Sequence, residues 1–168
     1  LDSATIRNLE LVRPSGAGEQ RLGQEQPTVL SVLDRTATAM GSRLLRDWLV
    51  RPLLNREAIH ARLDGVGELK DRIQQRVSLR TLLRDVQDIA RLSSRITLGV
   101  AGPRELLALK QSTSALPELR SHLQSFVASL LADVRESWDD CHDVQDAIAQ
   151  AVKQDAPRPR PGNHPQVA

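Results

Sequence analysis

Aromatic residues are nearly missing from this sequence: two Trp (Trp48, Trp138), one Phe (Phe126) and no Tyr occur in 168 residues. A β-sandwich draws its core largely from aromatic and β-branched side chains. The apolar residues here are mainly Leu, Val, Ile and Ala, which suit packed helices better. Cysteine is as scarce. Cys141 is the only one, so no internal disulfide can form and a reducing compartment is expected. No apolar run approaches the roughly 20 residues that span a bilayer. The start, Leu1-Asp2-Ser3-Ala4-Thr5, has no apolar core of a secretory signal. These absences give the cytoplasm as the expected location.

The chemistry of common enzymes is also absent. No G-x-x-x-x-G-K-[ST] phosphate loop occurs, and Gly16, Gly18 and Gly23 lie in a polar stretch without a Lys-Ser/Thr. His60, His122, His142 and His164 are widely spaced. The nearest metal-like grouping, Asp139, Asp140, Cys141, His142 and Asp143, lacks the converging ligands of a zinc site. It reads more simply as an acidic helix start. No G-x-S-x-G elbow is found. Asp85 and Asp88, one helical turn apart, are read as solvated or paired with Arg84 and Arg91. The expectation is a helical scaffold with no catalytic residue, no metal ligand and no cofactor of its own.

The hydrophobic pattern predicts a series of helices. Asn8-Leu9-Glu10-Leu11-Val12 alternates as a short strand would, yet no partner strand follows. Residues 14–27 read as a loop. A short helix is expected in Thr28–Asp34, and Thr38 is placed to cap a second over about 39–51, stopped before Pro52. Asn55 caps the clearest helix, where Ile59, Leu63, Val66, Leu69 and Ile73 share one stripe. Leu79, Leu82, Leu83 and Val86 form the next stripe, continued by Ile89, Leu92 and Ile96 after a kink near Asp85–Asp88. Gly99 or Gly102 ends it. Pro103 and Pro117 open two further helices, the second with Leu119, Leu123, Phe126, Leu130 and Val134 on its face. A last helix covers Asp143–Lys153. Trp48 is read as a core residue and Trp138 as a cover on the end of the Leu119–Val134 helix. Four prolines between Pro157 and Pro165 make residues 155–168 an extended Pro/Arg-rich tail after a domain spanning 1–154. The fold class is therefore all-α, a multi-helix bundle with a short N-terminal strand.

Charge is uneven. Only Lys70, Lys110 and Lys153 are lysines among 23 basic residues; the others are Arg. Residues 55–110 hold eleven basic and seven acidic side chains, whereas 111–168 hold five and eight. A basic middle can lie along a phosphate backbone. Arg72, Arg76, Arg80, Arg84, Arg91 and Arg95 are the candidate DNA-backbone contacts, set against the plainer reading of a solvated helix surface.

The residues then carry a resemblance. Residues 1–11, LDSATIRNLEL, are similar to the L-D-x-x-T-x-x-N-L-E-L opening of the MutS core domain. Residues 31–53, SVLDRTATAMGSRLLRDWLVRPL, resemble its S-V-L-D-x-T-x-T-x-M-G-x-R-L-L-R-x-W-L-x-x-P-L block. Residues 59–66, IHARLDGV, resemble I-x-x-R-L-D-A-V, and Val86–Leu109 resembles the stretch that follows. Ala90 stands where the family has Glu, and Gly65 where it has Ala. The resemblance implies the helical core, or lever, of a DNA mismatch repair protein. It would couple ATP binding to DNA clamping in the intact protein and catalyse nothing itself. The implied partners are mismatched double-stranded DNA, other MutS domains, a MutS-type dimer partner and a MutL-type protein. ATP and Mg would belong to the intact family, whose Phe-x-Glu mismatch reader, clamp and Walker domain are not in this sequence. The alternatives are a stand-alone helical protein–protein interaction module and a truncated remnant without function.

Overall fold

The computed structural model describes residues 1–14 and 27–154; the expected loop and Pro/Arg-rich tail therefore fall, apart from Pro14 and Pro27, outside the described residues. Among those residues there are ten helices and no strand.

The alternating Asn8–Val12 segment is not a strand. Helix α1 (Ser3–Asn8) precedes it, with the Asp2 carboxylate accepting from Thr5 N–H at 2.6 Å. Glu10 takes a positive φ of 49°, which ends any extended run. The Glu10 and Leu11 carbonyls accept instead from Val29 N–H (3.1 Å) and Leu30 N–H (2.9 Å), in the first turn of α2 (Val29–Leu33). The missing partner is thus a helix start, whose N–H groups are free to donate. Leu11 is the only buried residue described before Asn55.

The caps expected at Thr38 and Asn55 hold, and Thr28 adds one that was not expected. Thr28 and Ser31 form a reciprocal capping box on α2. Thr38 Oγ1 accepts from Gly41 N–H at 3.0 Å to begin α3 (Ala39–Val50). Asn55 accepts from Ala58 N–H at 2.7 Å to begin α4 (Arg56–Asp71). The apolar stripe of α4 faces the core only in part: Leu69 packs against buried side chains, but others are open. Leu63 is 58% exposed and Val66 57%, and Ile73 beyond it is 60% exposed. The helix buries Gly65, where an added Cβ would stand 3.8 Å from Leu130 and Leu131. Helix α9 (Ser129–Glu136) packs against α4 on that side.

Helix α5 (Ile73–Asp85) breaks at 86–88 before α6 (Ile89–Thr97), as the pattern indicates. Gly99, at φ +68°, follows α6. Pro103 opens α7 (Pro103–Ser114), and α8 (Leu116–Leu123) carries Pro117 in its first turn. The Leu119–Val134 stripe proves to be two helices. The chain leaves α8 at Leu123 and enters α9 at Ser129, with Phe126, 1% exposed, filling the core at the break. Val127 and Ala128 N–H donate to the Glu68 carboxylate at 3.0 and 2.8 Å rather than to a helix ladder. Helix α10 (His142–Gln154) closes the described fold.

Two buried clusters result. Leu79, Val86, Leu119, Leu123 and Phe126 form one, with Met40, Leu69, Leu131 and Trp138 against it. Leu92, Leu109 and Ile148 form the other, with Leu106, Val144 and Val152 at its edge. Trp138 therefore packs as expected. Trp48 is only half-buried and carries the Arg62 guanidinium 3.5 Å from its ring centroid, joining α3 to α4.

Candidate functional site

The six arginines divide into two groups. Arg72 pairs with Glu68 at 3.0 Å and lies 5.3 Å from the centre of the Phe126 ring. Arg76 donates to the Leu69 and Lys70 carbonyls (2.9 and 2.8 Å), closing the end of α4. Arg95 pairs with Glu105 and donates to the Val100 carbonyl at 3.0 Å. Each of these three has at least one internal partner. Arg80 and Arg84 make no side-chain hydrogen bond or ion pair among the described residues. Arg84 and Arg91 are exposed. The four-residue steps from Arg72 to Arg84 set a row along α5, of which Arg84 is the most open.

Carboxylates act as ties between helices. Arg43 of α3 makes a bidentate pair with Asp88, at 2.6 and 2.8 Å. Asp88 also accepts from Arg91 N–H at 3.1 Å and so caps α6. The Arg43 hydrogen bonds, then the Arg91 N–H, hold the Asp88 carboxyl down to about 2. Solvation or pairing with the Arg84 and Arg91 side chains was the expectation. Forty-five residues separate Arg43 from Asp88, and no local spacing announces such a pair. Glu68 collects Arg72 and the two amides ahead of α9; those amides and Arg72 outweigh its desolvation and keep its carboxyl below the usual range. Asp34 accepts from Thr36 and Ser42 and is lowered chiefly by the Ser42 hydroxyl, then by Thr36. Arg120 reaches Asp140 at 3.3 Å.

Among the described residues no three His, Cys, Asp or Glu side chains stand together to hold a metal ion. The Cys141 thiol is pushed up by burial and by Asp139, Asp143 and Asp140, the reverse of a reactive thiolate. No described helix is long and apolar enough to cross a membrane.

This helical unit has relatives among known proteins. The family model described as MutS domain III matches residues 4–164. The DNA mismatch repair protein MutS of Symbiobacterium thermophilum is 47% identical over 157 residues, covering 94% of this chain and 17% of the relative. The same-named proteins of Solibacter usitatus and Desulfosudis oleivorans are 43% and 44% identical, again over 94% of the chain and 18% of each relative. The chain thus spans less than a fifth of the length of the relatives it matches, within a domain that is not the ATPase of that family. On a family match that runs through nearly all of its length, the chain belongs to the MutS domain III family.

Proposed function

We propose that this chain is the lever of a mismatch repair protein. It links a nucleotide-using part to a DNA-holding part and carries displacement between them as rigid helical bodies. The observation that supports this most is the combination of the domain III match with charges spent on tying helices together. Packed helices have discrete alternative arrangements, which is what transmission over a distance needs. In this reading the segment itself takes no cofactor, and ATP and Mg act elsewhere in the intact protein. Mismatched DNA, a MutS-type dimer partner and a MutL-type protein are partners of that intact protein, which works in the cytoplasm.

Direct contact with DNA, where it occurs, falls to Arg80, Arg84 and Arg91, because Arg72, Arg76 and Arg95 have internal partners. Such contact is weak, blind to sequence and steeply salt-dependent. A titration of the 168-residue chain with duplex DNA at low salt checks it. Arg80→Ala with Arg84→Ala should abolish the binding and leave the helical signal intact. No binding by the unaltered chain in low salt removes the DNA-contact reading. The lever reading has its own test: this segment replaces the matching one in the Symbiobacterium thermophilum protein, and mismatch-stimulated ATP turnover is measured. Retained coupling supports a lever, and loss of coupling with correct folding refutes it.

One observation favours a second reading. Leu63, Val66, Ile73 and Val77 leave an apolar row open on α4 and α5, as a helical interaction module would. Sedimentation separates the readings, since a clean monomer at high concentration argues against self-association through that row.

A further inference from the structure

The described helices fall into two groups by contact. α4, α5, α8 and α9 pack on one another around Phe126, and α6, α7 and α10 pack on one another around Leu109. Between the groups the only substantial helix contact is that of α7 with α8, which follow one another in the chain. Helix α3 goes with the first group, through Met40 in the Phe126 cluster and through Trp48 on Arg62.

The chain crosses from one group to the other three times, at 86–88, at 113–117 and at 137–141. Each crossing is weak as a helix. Residues 86–88 have left the helical conformation. At the second, Ser112 and Thr113 are buried and turn their hydroxyls back onto the Ala108 and Leu109 carbonyls, a pattern that bends helices. Pro117 has no N–H to give the Thr113 carbonyl, and the Gln145 side chain donates there instead at 3.2 Å. At the third, Cys141 takes φ +52°. Trp138 Nε1 and Asp140 Oδ1, both within it, are buried without a hydrogen-bond partner among the described residues.

The three crossings are tied to each other. Gln87 N–H donates to Ser112 Oγ at 3.0 Å, joining the first to the second. Gln145 Nε2 donates to both Thr113 and Asp140 carbonyls, joining the second to the third. Ile89 packs against both clusters, as a pivot would. Arg43, from the first group, grips Asp88, the residue that starts α6 in the second.

We propose that residues 86–88, 113–117 and 137–141 form a hinge belt between two rigid helical bodies, and that the Arg43–Asp88 pair is its latch. The proposal stands on the packing of this chain and holds whether or not the lever reading does. Releasing the latch leaves both cores intact and frees their relative orientation. Asp88→Asn is the sharpest variant, because an Asn side chain still caps α6 while the charge pair is lost. Arg43→Gln releases the same latch from the other side.

The experiment is a pair of spin-label distance measurements on the full chain carrying Cys141→Ser. Labels at the exposed positions Gln74 and Gln150 span the belt, and labels at Gln74 and Asp133 stay within the Phe126 body. Asp88→Asn and Arg43→Gln should each broaden the spanning distribution or add a second distance, with the internal one unchanged. An unchanged spanning distribution in both variants overturns the proposal. Broadening of both distributions also overturns it, since the two bodies would then be one cooperative unit.

Discussion

The Phe126 body and the Leu109 body are built from the same kinds of residue and closed in different ways. The first surrounds a fully buried ring with four helices, and a carboxylate from α4 anchors the break beside it. The second rests on three buried aliphatic side chains, beside an open groove of about 400 Å³ lined by Ile96, Leu106, Leu109, Val144 and Ile148. Burial of apolar surface is the main source of stability. The difference therefore predicts a firm body and a looser one, joined by a belt of bent and extended residues.

The largest effect expected is on the firm body. Phe126→Ala removes the most buried apolar side chain among the described residues (1% exposed) and should cost about 3–5 kcal/mol in denaturant unfolding. Leu92→Ala, at 3% exposed in the looser body, should cost about 2–3 kcal/mol, because the adjoining groove lets the site collapse. Equal costs for the two would erase the comparison.

Acid should act on the ties rather than the cores. Asp88, Asp34, Glu68 and Glu105 all have carboxyls lowered in the folded chain, Asp88 to about 2. The folded state then binds fewer protons than the unfolded one, whose carboxyls titrate near 4. Their contribution is complete above that value and is lost as pH falls below it, for Asp88 as pH nears about 2. Unfolding at decreasing pH should show this loss, with a shallower slope in Asp88→Asn.

The smallest effects concern two glycines. Gly65→Ala gains helix propensity, and the added Cβ meets Leu130 and Leu131 at an ordinary 3.8 Å. It should stabilise the firm body by about 0.5–1 kcal/mol. Gly41→Ala should destabilise instead, since its Cβ would lie 3.1 Å from Thr38 Oγ1 and 3.3 Å from Thr36 Cβ, in the turn that starts α3. Thermal melting of the two variants should move in opposite directions.

Much of this was legible in the residues. Thr38, Asn55 and Pro103 mark helix starts through local hydrogen bonds and backbone limits, and the structure places those starts where they indicate. The errors came where tertiary contacts overrule local pattern. The Asn8–Val12 alternation satisfied a strand template, but its carbonyls meet the start of α2. The Leu119–Val134 spacing fitted one helix, yet Phe126 and Glu68 together hold a break inside it. The stripe on α4 was real as a pattern, but Leu69 packs on the Phe126 cluster while Leu63, Val66 and Ile73 stay exposed. In the arginine row, spacing told which side chains share a helix surface. It could not tell that Arg72, Arg76 and Arg95 are already committed to Glu68, two carbonyls and Glu105.

Native-state hydrogen exchange on the 168-residue chain tests the two-body account most directly. The account predicts the slowest exchange in α4, α5, α8 and α9, faster exchange as a group in α6, α7 and α10, and a further rise in that second group alone when Asp88 is replaced by Asn. A single uniform protection level across all seven helices, unmoved in rank by Asp88→Asn, would contradict it.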